Sequence, residues 1–123
     1  MAEALTDAPV ILTVPTAADA TATGSILGGW IMTQLDHAAG RAGRRFAGDC
    51  VIRTIRDLQF LSPLRLGEDF AVQASLGKTG RTSFVLNLTG TACPDTAQAR
   101  AIVTAEVTMI CIAPDGQPRP IAA

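Results

Sequence analysis

Charge is scarce in this chain of 123 residues: 17% are charged, and 10 Lys+Arg against 11 Asp+Glu leave a formal net charge of -1. A balance so close to neutral raises no global field for polyanions, so nucleic acid is not an expected partner. Histidine is scarcer still. With a single histidine, His37, and scattered acids at no ligand spacing, no metal site is expected. Cys50, Cys93 and Cys111 are an odd set with no CxxC pair, which argues against a disulfide framework and against a zinc knuckle. They read as small apolar fillers. No apolar run approaches the roughly 18 residues that span a bilayer, and the opening MAEALTDAPV lacks the basic start and apolar stretch of a secretory signal. The expectation is a cytoplasmic protein with no membrane association. Repeats, low-complexity tracts and Pro/Gly/Ser-rich linkers are also missing, so residues 1–123 read as one domain.

Apolar residues, by contrast, are plentiful, at 48% of the chain, and the mean hydropathy is +0.30. That excludes a disordered chain. A polypeptide this short leaves much of its surface outside its own core, so part of the apolar excess is assigned to a subunit interface. Arg41, Arg44, Arg45, Arg53 and Arg56 crowd one stretch. They read first as a solvated or interface patch, with phosphate contact as the lesser alternative.

From Leu27 to about Phe46 the residues Leu27, Trp30, Ile31, Leu35, Ala38, Ala39, Ala42 and Phe46 recur at three- and four-residue spacing, the helix period. At ~1.5 Å per residue this helix is about 30 Å long. Its broad apolar arc calls for something curved to wrap it. Beyond it the period falls to two, in Phe70, Val72, Ala74 and Leu76 and again in Phe84, Leu86 and Leu88. Gly77-Lys78-Thr79-Gly80 between these runs predicts a hairpin turn. Ala101, Val103, Ala105, Val107, Met109 and Cys111 predict one apolar face of a long strand, with Thr104, Glu106 and Thr108 on the other. Cys50 to Leu61 is a strand with broken alternation, stopped by Ser62-Pro63, and Val10 to Val14 is a short first strand bounded by Pro9 and Pro15. The sum is an α+β chain: strand, long helix, then four strands able to pair antiparallel.

Within the helix Asp36 shares its face with Gly29, Met32, Thr33, Ala39, Gly40 and Gly43, none of them basic. Gly40 and Gly43 each cost about 0.5–1 kcal/mol against alanine, and close approach of a ligand or another chain is a compensation. An acid so placed is on the surface, paired from elsewhere, or at work. His37 is its neighbour, but consecutive helical residues point about 100° apart, so the two form no dyad within one helix. No GxSxG elbow is present either, and no second histidine could serve a serine or cysteine elsewhere, which argues against Ser-His-Asp chemistry. At the helix front, Gly28 and Gly29 stand where backbone N–H groups lack intrahelical acceptors. Such amides can polarise a carbonyl, although a flexible turn has the same composition. Gly28 and Asp36 lie roughly 12 Å apart along the axis. A site using both is more simply shared between two subunits.

The chain resembles the hotdog-fold acyl-CoA thioesterases, the YciA-like branch in particular. The resemblance rests on Gly24-Ser25-Ile26-Leu27-Gly28-Gly29-Trp30-Ile31-Met32 with Gln34-Leu35-Asp36, then Phe60-Leu61-Ser62-Pro63 with Gly67-Glu68-Asp69, Gly80-Arg81-Thr82-Ser83, and Asp115-Gly116-Gln117-Pro118-Arg119-Pro120. It implies a long central helix wrapped by a curved antiparallel β-sheet, a homodimer as the minimum active unit, and tetramers or hexamers, the latter as trimers of dimers. It also implies hydrolysis of an acyl-CoA substrate to free acid and CoA, with coenzyme A part of the substrate and no further cofactor. By position, Asp36 matches the catalytic acid, as general base or nucleophile. Gly28 and Gly29 match the helix start that binds the thioester carbonyl and, in the family, faces the catalytic acid of the partner subunit. Arg81, Thr82 and Ser83 match the segment that meets CoA, although an exposed hairpin arginine is the plainer reading of Arg81. Where many relatives carry N-A-N-G, this chain has Thr21-Ala22-Thr23-Gly24. Thr21 thus stands at the position that helps hold substrate or water, with a hydroxyl in place of an amide. A non-catalytic acyl-CoA-binding module is the alternative. A hotdog dehydratase is a poorer one, because its helix histidine is missing.

Overall fold

The structure, a computed structural model, describes residues 8–121. Strand β1 is Ile11–Thr13, helix α1 Gly28–Ala47, and strands β2 to β5 are Cys50–Phe60, Phe70–Thr79, Ser83–Ala92 and Arg100–Cys111. All five strands join one antiparallel sheet in the order β1-β3-β4-β5-β2. The helix packs across it, which is the hotdog arrangement expected.

The inner stripe of α1 is made of small residues, so the helix sits close to the sheet. Ala38, Ala39 and Ala42 are fully buried. Gly43 belongs to this inner stripe, which corrects its expected role as a landing place for another molecule. A Cβ at Gly43 would lie 2.6 Å from Cys50 Sγ and 3.4 Å from both Met109 Cε and Phe84 Cζ, so only glycine lets α1 meet β2 here. Gly90 in β4 is constrained in the same way, with Phe70 Cζ 2.5 Å from the place a Cβ would take. Phe70, Phe84, Leu86, Leu88, Val103 and Met109 fill the space between helix and sheet.

Two expectations for the strands need correction. The β3–β4 turn is not Gly77 to Gly80, because pairing continues through Thr79↔Phe84 after a one-residue shift. The reversal falls at residues 80–82, closed by the Gly80 N–H to the Ser83 carbonyl at 2.8 Å. A bulge carries the strand past Gly77, and of the two glycines only Gly80 lies in the reversal. In β5 the apolar alternation slips at its start: Gly90 faces Val103 and Thr91 faces Ala101, so Ile102 is the extra residue. Ile102 is therefore buried and Ala101 exposed.

Strand β2 lies at an edge and carries two register shifts, at Ile52/Thr54 and Arg56/Gln59. Arg53 is the residue extruded by the first, which is the physical form of the broken alternation. Val51, Ile55 and Phe60 on this edge are 44%, 45% and 49% exposed. An apolar free edge is a template for pairing with another chain. The five clustered arginines are all exposed, as a solvated or interface patch requires.

Candidate active site

The front of α1 is held from below by the β2–β3 connection. The Ile26 N–H donates to the Leu64 carbonyl at 2.8 Å, and the Leu66 N–H to the Gly24 carbonyl at 2.9 Å. The Arg65 guanidinium donates to the Thr23 carbonyl at 2.7 Å and the Ser25 hydroxyl at 3.2 Å. Its own N–H donates to Glu68 Oε1 at 2.7 Å. Glu68 in turn is gripped bidentately by Arg100, at 2.7 and 2.8 Å. The Arg100 hydrogen bonds hold the Glu68 carboxyl at about 2, well below its ordinary 4.5, against the opposing effect of burial. Charge-assisted forks of this kind combine strength with fixed geometry. None of these roles was derivable from Gly67-Glu68-Asp69 as a string; the partners Arg65 and Arg100 come together only across three elements.

Thus fixed, α1 begins without a side-chain cap and with no acid in its first turn. The amides of Gly28 and Gly29 have no acceptor among the described residues, as first-turn amides lack one within the helix. Gly28 borders a cavity of about 400 Å³ with Phe60, Leu61, Pro63 and Leu64. Thr21 lies just before it. Its hydroxyl accepts the Ser25 N–H at 3.3 Å and sits 3.2 Å from the Thr23 hydroxyl, so it is engaged within its own loop.

Asp36 stands two turns on, exposed, with no hydrogen bond or ion pair among the described residues. Two cavities meet there. One is an apolar slot of about 30 Å³, walled by Met32, Leu35, Ile55, Leu58 and Val107. The other is a cleft of about 230 Å³ between α1 and the start of β2, bordered by His37, Gly40, Arg44, Val51 and Ile52. His37 and Asp36 flank one cleft without bonding to each other, so they form no dyad, as their angular separation on the helix requires. Arg44 was missed as a site residue, because its guanidinium reaches the cleft only by folding back one turn.

Arg81 is exposed at the β3–β4 turn, with Thr82 and Ser83 half-buried behind it. The Arg81 carbonyl accepts the Ile121 N–H at 2.9 Å and the Thr82 carbonyl the Cys111 N–H at 2.8 Å. That anchors the turn near the far end of α1, where Arg119 donates to the carbonyls of Ala47 at 2.7 Å, Asp49 at 3.0 Å and Ile112 at 3.0 Å. Within one chain, then, Gly28, Asp36 and Arg81 are distributed along the helix from front to back. Cys50 and Cys111 face each other across β2 and β5, and burial pushes both thiols up, so neither supplies a thiolate. Burial and the neighbouring Glu68 carboxylate also push the Cys93 thiol up.

This fold, with an open helix start and an unpartnered mid-helix acid, is the framework of a thioesterase, and comparison with known proteins agrees. The sequence profile of the Thioesterase superfamily matches residues 23–99, and the chain belongs to that family. The acyl-CoA thioester hydrolase YciA of Salmonella typhimurium is 30% identical over 117 residues, 91% of this chain and 88% of that protein. An uncharacterized acyl-CoA thioester hydrolase of Zymomonas mobilis is 35% identical over 83 residues, 67% of this chain; that match spans 56% of the relative's own length. Among solved structures, the hexameric thioesterase of Yersinia pestis superposes with a TM-score of 0.87 at 27% identity, covering 94% of this chain and 96% of that one.

Proposed function

We propose that this protein hydrolyses acyl-CoA thioesters to a free acid and CoA. The observation that carries the reading is the Asp36 carboxylate: free of partners, in mid-helix, where two cavities meet. Asp36 takes a proton from water as that water attacks the thioester carbon, or attacks the carbon itself and forms an anhydride that water then opens. The amides of Gly28 and Gly29 receive the negative charge that develops on the carbonyl oxygen. Because Gly28 and Asp36 border different cavities of one chain, the amides come from a partner subunit. The apolar edge of β2 is the surface for that partner, giving a homodimer as the smallest active unit. A hexamer, as named for the Yersinia pestis protein, is the assembly that follows from likeness to it. Arg81, Thr82 and Ser83 bind the CoA portion, with Arg81 forming charge-assisted bonds to phosphate. The chemistry calls on no metal or redox cofactor. It belongs in the cytoplasm, the compartment suited to three free cysteines.

Thiol release from a panel of acyl-CoAs tests the reading, with Asp36→Asn alongside. Turnover in the native chain and a loss of about 100-fold or more in the variant are expected. Comparable turnover in both removes Asp36 from the mechanism. The engaged hydroxyl of Thr21 supports one other reading, a module that binds acyl-CoA without turning it over. Tight binding in calorimetry with no thiol released over hours decides for that module.

A further inference from the structure

Of the two cavities that meet at Asp36, the apolar slot is the smaller by far, about 30 Å³. A single water needs about 10–15 Å³ on the same measure, so the slot has room for only two or three heavy atoms. The cleft on the other side is about 230 Å³ and its border is mixed, Val51, Ile52 and Met109 on the strand side and Asp36, His37 and Arg44 on the helix side.

Arg44 is not simply a solvated cation. Its guanidinium folds back along α1 over Gly40: a Cβ there would lie 3.0 Å from Nη1 and 3.6 Å from Cζ. The missing side chain at Gly40 is what admits it. No side-chain acceptor for Arg44 is found among the described residues, and the one ion pair described is Arg100–Glu68. Arg45, equally placed in the last turn to favour the helix terminus, does not border the cleft. An Arg fork with its donors unspent, at the wall of a cavity, is built to receive a carboxylate.

Spacing then sets the length of the ligand. Side chains one turn apart stand about 5–6 Å from each other, so the guanidinium over Gly40 is about that far from Asp36 along the cleft. An extended chain of five carbons spans about 5 Å from first to last. We propose that the cleft takes acyl-CoA thioesters whose acyl group ends in a second carboxylate, about four or five carbons from the thioester carbon, with Arg44 as the residue that receives it.

The inference rests on the hydrolase reading and names its substrate class. In the reaction, water oxygen bonds to the thioester carbon and the C–S bond breaks. A water proton passes by way of Asp36 to the departing sulfur, giving a dicarboxylic acid and CoA thiol. Asp36 and the substrate carboxylate repel each other at this range, and the guanidinium between them is what makes the arrangement tolerable.

The experiment compares glutaryl-CoA with pentanoyl-CoA, equal in length and differing in the terminal carboxylate. Thiol release is measured for the full chain, Arg44→Ala, Arg44→Lys and Gly40→Ala. The native chain is expected to favour glutaryl-CoA in kcat/KM. Arg44→Ala should lower the glutaryl-to-pentanoyl ratio about tenfold or more, chiefly through KM. Arg44→Lys should restore part of it, and Gly40→Ala, which crowds the guanidinium, should lower it. An unchanged ratio in Arg44→Ala, or a native chain that favours pentanoyl-CoA, overturns the inference and leaves the hydrolase reading standing. If neither ester is cleaved, calorimetric affinities decide the carboxylate site, and the wider acyl-CoA panel decides the hydrolase reading. Weaker glutaryl-CoA binding in Arg44→Ala, with pentanoyl-CoA less affected, supports the site; equal losses overturn it.

Discussion

Gly40 and Gly43 stand one turn apart on the same helix, and their surroundings are opposite. At Gly43 a side chain would press on Cys50 Sγ at 2.6 Å, inside the core. At Gly40 it would meet only the far end of the Arg44 side chain. The inner face of α1 is therefore settled by packing within the chain. The outer face carries Asp36, His37 and Arg44, whose side chains find no acceptor or donor among the described residues, with Gly40 between them. The inner face is thus satisfied within the fold, while the outer one keeps a carboxylate and a guanidinium without partners among the described residues.

Four substitutions break or sharpen this contrast, ordered from the most destabilising to the one that stabilises. Gly43→Ala should destabilise the fold by about 2–3 kcal/mol in urea denaturation at fixed protein concentration, because the neighbour is a buried sulfur with nowhere to go. A native-like midpoint would mean that α1 is not held against β2 as described. Glu68→Gln should cost about 2 kcal/mol at neutral pH, since it breaks the charge-assisted fork with Arg100. Its pH dependence has a definite sign. The folded carboxyl titrates at about 2 instead of its ordinary 4.5, so its contribution is complete above about pH 4.5 and is lost as pH falls through 2. The gap between native chain and variant should close over that window. Asp36→Asn should change stability by less than about 0.5 kcal/mol. A larger loss would reveal a structural partner for the carboxylate. Gly40→Ala should raise stability by about 0.5 kcal/mol, the helix propensity of alanine, as the exposed Arg44 side chain swings aside. The pair of glycine variants is the sharpest comparison, because one residue type gives effects of opposite sign.

Much of the fold was legible in the sequence, for reasons that are local. The 3.6-residue period placed α1 to within a residue at either end, and the two-residue period placed β3, β4 and β5. The failures were all bulges. An extra residue at Ile102 or between Leu76 and Thr79 changes which side chains face inward, yet leaves no mark in composition. At the site, Asp36 was singled out because no basic residue shares its face, a property of helical spacing alone. The same spacing separated His37 from Asp36, but helical angles take no account of the strand β2, which makes the two border one cleft.

What the sequence determined by itself is the periodic part: one long helix, antiparallel strands, an acid without a helical partner, and a glycine pair at the helix start. Those follow from residue spacing, which local geometry converts directly into faces. What only the tertiary structure decided is which face each glycine serves and which charges find one another. Glu68 meets Arg100 across 32 positions and Arg65 meets Ser25 across 40. Arg44, with no such meeting, is left over a cleft whose second wall is β2. Contacts between residues so far apart depend on the register and bulges of the sheet, and these are fixed by the packing of the whole core.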